Sequence, residues 1–247
     1  VYDKKQPKFR QICRFLEHIR EIESYLPAEG ELRICDLCCG KSYLSFAVYH
    51  YFAVLRGRRV SMTGVDLKPD VIEYCSSVAE SLGFSGLEFI CGNVLEYDSR
   101  ERGLPQLVVS LHACDTATDI VLTKAAQWHA KVILSTPCCH HALARVIDCP
   151  ELAFVTDHPF LSRKLCDVLT DAARLARLDA EGYVTTAMEL TDPDDTPKNV
   201  LLRAVLDDAP ELSRLAACRE RYEAIRRFLA AGDPEGARGA LPDVIYD

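Results

Sequence analysis

Four short stretches of this chain combine acids, small residues, thiols and imidazoles in patterns suited to holding a nucleotide-like ligand and moving a proton. Ile34-Cys35-Asp36-Leu37-Cys38-Cys39-Gly40-Lys41-Ser42 places an acid within an apolar run and follows it with a tight turn of small residues. Val60-Ser61-Met62-Thr63-Gly64-Val65-Asp66 ends a second apolar run on another acid, placed to accept hydrogen bonds from a ribose diol. Asn93 follows a third apolar run, where its amide could meet an adenine edge or simply form a turn. Leu111-His112-Ala113-Cys114-Asp115 and Pro137-Cys138-Cys139-His140-His141 supply groups that take up protons, and His112, Asp115, His140 and His141 are the candidate bases.

Chemistry at those stretches requires elements that bring them to one rim. A strand running through a tight turn into a helix N-terminus makes a pocket at the strand's carboxyl end. Glu31 to Leu37 predicts such a strand, Tyr43 to Leu55 a crossover helix, and Val60 to Asp66 a second strand, which together form a βαβ unit. The next helix runs from Lys68-Pro69-Asp70 to Leu82 and is stopped by Gly83. Strands are predicted again at Leu87 to Cys91, Leu107 to Leu111 and Lys131 to Ser135. Thr116-Ala117-Thr118-Asp119 has the shape of a capping box opening a helix to Trp128. This alternation predicts an α/β fold with a doubly wound, Rossmann-like, mostly parallel sheet.

The pattern changes after the fifth strand. Residues 142 to 181 read as a helical insertion with Leu165, Leu169, Ala172, Ala173 and Ala176 on one face, forming a substrate-side wall. Gly182 to Thr191 and Asn199 to Leu206, joined by the turn Asp192 to Lys198, predict a terminal hairpin that adds an antiparallel strand. Before the sheet, a basic helix at 1–30 carries the apolar stripe Ile12, Phe15, Leu16, Ile19 and Ile22. After the core at 31–206 comes a C-terminal helix and tail at 207–247, with Arg219, Arg221, Arg226 and Arg227. One domain spanning 1–247 is the expectation.

A formal charge of -8 argues against wholesale polyanion binding, yet Lys4, Lys5, Lys8, Arg10 and Arg14 form a local cluster able to contact RNA phosphates. The alternative for such a cluster is a solvated face. Twelve cysteines in a long, regular chain without a signal-peptide pattern read as reduced thiols of a cytoplasmic protein. No apolar run is long enough to predict a membrane span. Zinc is the rival at the thiol-rich rim, where Cys38, Cys39, Cys114, Cys138, Cys139, His140 and His141 are soft ligands. Their spacing is not that of a paired C-x-x-C site, and Cys35, inside a strand, would not face one ion with Cys38. The expectation is therefore a site without metal.

The order of these features resembles the class I S-adenosylmethionine-dependent methyltransferases over roughly residues 31 to 206. Leu111 to Asp119 and Pro137 to His141 look like the family with L-H-A-C-D-x-A-T-D and P-C-C-H signatures, and Lys8 to Ile12 and Thr196 to Asn199 fit it too. They are also similar to motifs of tRNA 2′-O-methyltransferases that modify the acceptor stem. The resemblance implies S-adenosylmethionine as cofactor, held by Asp36, Cys38, Gly40, Lys41, Asp66, Leu67, Asn93, Val94, His112 and Ala113. Within that set Asp36 would meet the methionine amino group, Asp66 the ribose, Asn93 the adenine, and His112 and Ala113 the methionine end. One departure is clear: where the family's loop reads D/E-x-G-x-G-x-G, Cys38 and Ser42 replace two glycines and only Gly40 remains. A positive φ at those positions would cost more than with glycine. The resemblance, with the basic cluster, implies an RNA acceptor; the alternatives are a protein or small-molecule acceptor, or a zinc-binding or cofactor-binding domain without turnover. The missing N/D-P-P-Y/F motif after the fourth strand argues against methylation of a base's exocyclic amine.

Overall fold

Period-two alternation along the strands builds two apolar faces on one sheet. The computed structural model describes residues 6–138, 140–147, 149–191, 199–229 and 241–243. Strands β1 (Leu32–Leu37), β2 (Val60–Asp66), β3 (Leu87–Cys91), β4 (Leu107–Leu111) and β5 (Val132–Thr136) run parallel. β6 (Tyr183–Glu189) and β7 (Val200–Leu206) follow, and the seven strands lie in the order β3-β2-β1-β4-β5-β7-β6. β7 is antiparallel to both its neighbours, so the terminal hairpin inserts its second strand beside β5 and leaves its first at the edge. The expected turn from Asp192 to Lys198 lies outside the described residues, as do Lys4, Lys5 and Cys139.

One face of the sheet, including Leu32, Ile34, Met62, Leu107, Val109 and Leu134, packs under α1 (Gln6–Ile22) and α2 (Tyr43–Tyr49) through Phe15, Ile19, Ile22, Leu44 and Val48. α2 continues as a π-helical turn over His50–Leu55 and carries Phe52 into the same core. On the opposite face Cys35, Leu37, Val108 and Ile133 meet Val121, Leu122 and Ala125 of α4 (Thr116–Gln127). α3 (Pro69–Ser81) buries Ile72, Cys75 and Ala79. The helical insertion comprises α5 (His141–Val146), α6 (Ala153–Thr156) and α7 (Pro159–Ala180), and α8 (Leu212–Leu229) follows β7.

Two local expectations are corrected. Thr116 and Asp119 do not cap α4: Asp115 occupies the N-cap position at φ +50° without a side-chain cap bond. Asp119 instead grips Arg174 through Nε and Nη2, both at 2.8 Å. On α7, Ala172 is exposed, whereas Cys166, Thr170, Asp171, Ala173, Arg174 and Arg177 face inward. Charges can occupy that face because they compensate one another. Arg174 also reaches Asp171 Oδ1 and the Asp115 carbonyl, while Arg177 pairs with Glu181 at 3.0 Å. Buried ions persist only when paired and hydrogen-bonded in this way.

Candidate active site

The carboxyl ends of β1, β2 and β4 enclose a cavity of about 280 Å³, a size near the lower end of small-molecule sites. Its wall contains Asp36, Cys38, Gly40, Lys41, Asp66, His112 and Ala113 of the expected contact set, together with Cys39, Ser42, Cys114 and, from α1, Lys8. Leu67 is exposed just outside it, Val94 is buried in the core beneath α4, and Asn93 also does not line it. Asn93 accepts the Leu95 backbone N–H at 3.0 Å, the work of a turn former, which leaves its two amide hydrogens for a ligand edge.

The turn after β1 does what its two missing glycines would have done. Cys38, Gly40 and Ser42 have φ of +64°, +52° and +56°, the left-handed conformation at each of the three motif positions. Hydrogen bonds from its amides hold it there: Cys39 N–H donates to the Val65 backbone O at 3.0 Å, and Gly40 N–H to the Asp66 side-chain Oδ2 at 2.8 Å. Cys39 also lies over Gly64 of β2, where an added Cβ would sit 3.2 Å from its sulfur and 2.6 Å from the Phe89 ring. His112 (φ +68°) and Asp115 (φ +50°) put the turn after β4 into the same unusual region. Apart from His129, every positive-φ residue other than glycine among the described residues lies in these two turns. Such conformations cost on the order of 1–3 kcal/mol each and concentrate where function fixes the backbone.

We expect Cys38→Gly to leave stability within about 1 kcal/mol of the parent, because relief of the left-handed strain offsets glycine's flexibility. Cys38→Val should lose roughly 1–3 kcal/mol, since branching at Cβ worsens the clash. Urea unfolding of both variants measures the difference, and equal losses would show that the backbone does not resist a side chain there.

Asp36 is the most perturbed acid in the cavity. It is 1 % exposed, Ser45 Oγ donates to its Oδ2 at 2.5 Å, and its Oδ1 has no hydrogen-bond partner. Burial pushes its carboxyl up to about 7, against the opposing Ser45 bond and helped by the nearby Asp66 charge. An acceptor that is buried, bordering a cavity and unpartnered fits a ligand cation. His112 is held by its backbone N–H, which donates to Thr136 O at 3.1 Å, and by a ring contact of 3.2 Å between Nε2 and Gln11 Oε1. Burial and the Lys8 charge lower its pKa, so the imidazole is neutral at physiological pH. Burial, then Asp66 and Asp36, push the Cys38 thiol up to about 11, which keeps it protonated.

The other candidate bases face away from this cavity. Asp115 Oδ1 accepts the backbone N–H groups of His141 and Ala142 at 2.9 and 3.1 Å, pinning the start of α5. His140 is 5 % exposed, with Nε2 2.8 Å from Asp171 Oδ1 and Nδ1 3.2 Å from Asp167 Oδ1. The Nδ1 contact is close but lacks hydrogen-bond geometry, so it is an electrostatic neighbour only. His141 is exposed at the first position of α5. Among the described residues no three His, Cys, Asp or Glu side chains form a metal-holding group. No helix among them is long and apolar enough to cross a membrane.

Residues 7–146 match the family described as methyltransferase domain. The chain belongs to this family. A mouse glutathione S-transferase C-terminal domain-containing protein is 24 % identical over 199 residues, which cover 70 % of this chain and 30 % of that protein. The chain thus spans less than a third of that relative's length. Among solved structures, an rRNA methylase from Streptococcus thermophilus is 11 % identical with a TM-score of 0.45, covering 72 % of this chain and 88 % of its own. The precorrin-6y C5,15-methyltransferase of Geobacter metallireducens is 12 % identical with a TM-score of 0.48, covering 77 % and 88 %.

Residues 7–146 are accordingly a methyltransferase domain, for which S-adenosylmethionine is the implied methyl donor. The chemistry of the wall fits that donor: the orphaned Asp36 oxygen suits an ammonium, and Asp66 keeps lone pairs for hydroxyl groups beyond the Gly40 and Lys68 amides that it accepts. Gln11 and the place of the exposed Lys8 on the cavity wall are the functional features that sequence reasoning missed. The only signal for them was the Lys8 to Ile12 motif quoted with the family.

Proposed function

We propose that this methyltransferase modifies RNA, at a ribose hydroxyl of tRNA or rRNA. The observation that carries the reading is Lys8, whose ammonium lies 5.0 Å from the Tyr43 ring centroid in the cavity wall and acts electrostatically on His112. A cation at the mouth of a methyl-transfer pocket suits a phosphate next to the target nucleotide. The insertion adds an exposed stacking surface, with Phe154 and Phe160 74 % and 61 % exposed and Lys164 Nζ 5.3 Å from the Phe160 centroid. Aromatic faces flanked by cations suit single-stranded RNA. Arg14 contributes less than its charge suggests, because Glu17 pairs with it at 2.6 Å. The likeness of the His112 and Cys138 segments to tRNA 2′-O-methyltransferases favours a hydroxyl acceptor.

The bound donor supplies an electrophilic methyl group on a sulfonium. The chain's residues then have to orient the acceptor, exclude water and remove a proton. His112 takes the proton. With Nε2–H donating to Gln11, Nδ1 is the free acceptor, and the lowered pKa keeps it unprotonated at neutral pH. Incubating total RNA with the protein and methyl-labelled donor, followed by nucleoside mass spectrometry, should give one labelled 2′-O-methylnucleoside. His112→Ala should lower that signal about 100-fold, a typical contribution of a positioned base. Label confined to protein or small-molecule fractions would overturn the RNA reading.

A further inference from the structure

The thiols at the rim are not equivalent. Cys35, Cys75 and Cys166 are buried, and Cys38 and Cys39 are partly buried with thiols that burial keeps protonated. Cys114 is exposed, lines the cavity immediately after His112 and Ala113, and has its Sγ 3.4 Å from Cys138 Sγ. The two sulfurs belong to different turns, those after β4 and β5, which are already drawn together by Asp115 and the first amides of α5. The 24 residues separating them in sequence allow a link that the adjacent pair Cys138-Cys139 does not favour.

We propose that Cys114 and Cys138 form a reversible dithiol–disulfide pair at the mouth of the cofactor cavity, closed by hydrogen peroxide and reopened by a dithiol. Cys114, the exposed member, attacks one peroxide oxygen as its thiolate, breaking the O–O bond to give a sulfenic acid and hydroxide. Cys138 then attacks that sulfur as a thiolate, forming the S–S bond and expelling a second hydroxide. With the two protons released by the thiols, the balance is two thiols plus one peroxide giving one disulfide and two waters. The thiols lose the two electrons that peroxide gains.

Closing the pair from 3.4 Å to a bond length of about 2.05 Å moves at least one sulfur by more than an ångström, and Cys114 is itself part of the cavity wall. The turn after β4 carries His112 and Ala113, so the movement acts on the cavity wall. Misplacements of that size are worth about 100-fold in a positioned reaction, and a tenfold weaker affinity for S-adenosylhomocysteine is expected in the closed form. This consequence for affinity rests on the methyltransferase reading of the cavity; the disulfide itself does not.

The experiment treats the reduced full chain with stoichiometric hydrogen peroxide and maps it by proteolysis and fragmentation mass spectrometry, resolving Cys138 from Cys139. S-adenosylhomocysteine is titrated into reduced, oxidised and dithiothreitol-restored protein. A Cys114–Cys138 linked peptide, a tenfold loss of affinity on oxidation and recovery on reduction support the pair, and Cys138→Ser should bind normally yet ignore peroxide. No link, or a link through Cys38 or Cys139 instead, overturns it, as does a correct link with unchanged affinity. Reduced protein that binds no S-adenosylhomocysteine would overturn the cofactor assignment, while the linked peptide would still decide the disulfide.

Discussion

Asp36→Asn should weaken S-adenosylhomocysteine binding by about 10- to 100-fold while making the ligand-free protein more stable at pH 8. Both effects follow from one buried carboxyl raised to about 7. An unfolded aspartate titrates near 3.9, so between roughly pH 4 and 7 the folded state holds a proton that the unfolded chain has lost. Stability contributed by this group is therefore intact below that window and lost as pH rises through it. Asparagine cannot ionise, keeps a partner for Ser45, and removes the loss, a gain on the order of 2–4 kcal/mol at pH 8 that vanishes near pH 4. Cofactor affinity moves the other way. The ammonium needs the ionised carboxyl, so binding to the parent strengthens as pH rises toward 7 and levels off above it. Calorimetric titration at pH 6 and 8, with thermal unfolding at pH 4 and 8, measures both trends. A parent protein whose affinity is flat across pH 6 to 8 would remove Asp36 from ammonium binding.

Arg174→Met should be the most damaging substitution outside the cavity, with a loss of about 3–5 kcal/mol in urea unfolding. The guanidinium is 4 % exposed and holds four acceptors: both Asp119 oxygens, Asp171 Oδ1 and the Asp115 carbonyl. Removing it leaves two poorly solvated carboxylates without their countercharge. The loss also reaches the start of α5, because Asp171 carries His140 and Asp115 anchors that helix. Asp119→Asn combined with Arg174→Met should cost less than the sum of the two single changes, since the double change strands Asp171 alone where Arg174→Met strands two carboxylates. Additive losses would mean that the ions act independently.

These two residues mark where the sequence was informative and where it was silent. Asp36 was legible because the strand–turn–helix pattern around it depends on local alternation and turn residues. The strands from Leu32 to Thr136 and the hairpin from Tyr183 to Leu206 followed from the same local signals. Arg174 was not legible, because an amphipathic pattern assigns charges to solvent, and α7 turns Asp171, Arg174 and Arg177 inward against partners far away in sequence. Asp115 looked like a base beside His112, yet the positive-φ N-cap of α4 directs its carboxylate at the amides of α5. Gln11 and Lys8 were hidden for the same reason: a helix's apolar stripe gives its buried face, not which ligand cavity lies beyond its end. The left-handed backbone at Cys38 and Ser42 could be inferred only by aligning them with absent glycines.

The strand order has a consequence for synthesis. β6 pairs with β7 alone, and β7 fills the place next to β5. During translation the edge of β5 therefore stays open until Val200–Leu206 has left the ribosome, while β6, made earlier, has no strand to join. The hairpin should form first as a unit and then dock, closing the sheet last. Until then the nascent chain exposes an unpaired apolar strand edge, the kind of surface that chaperones cover and that aggregates form on.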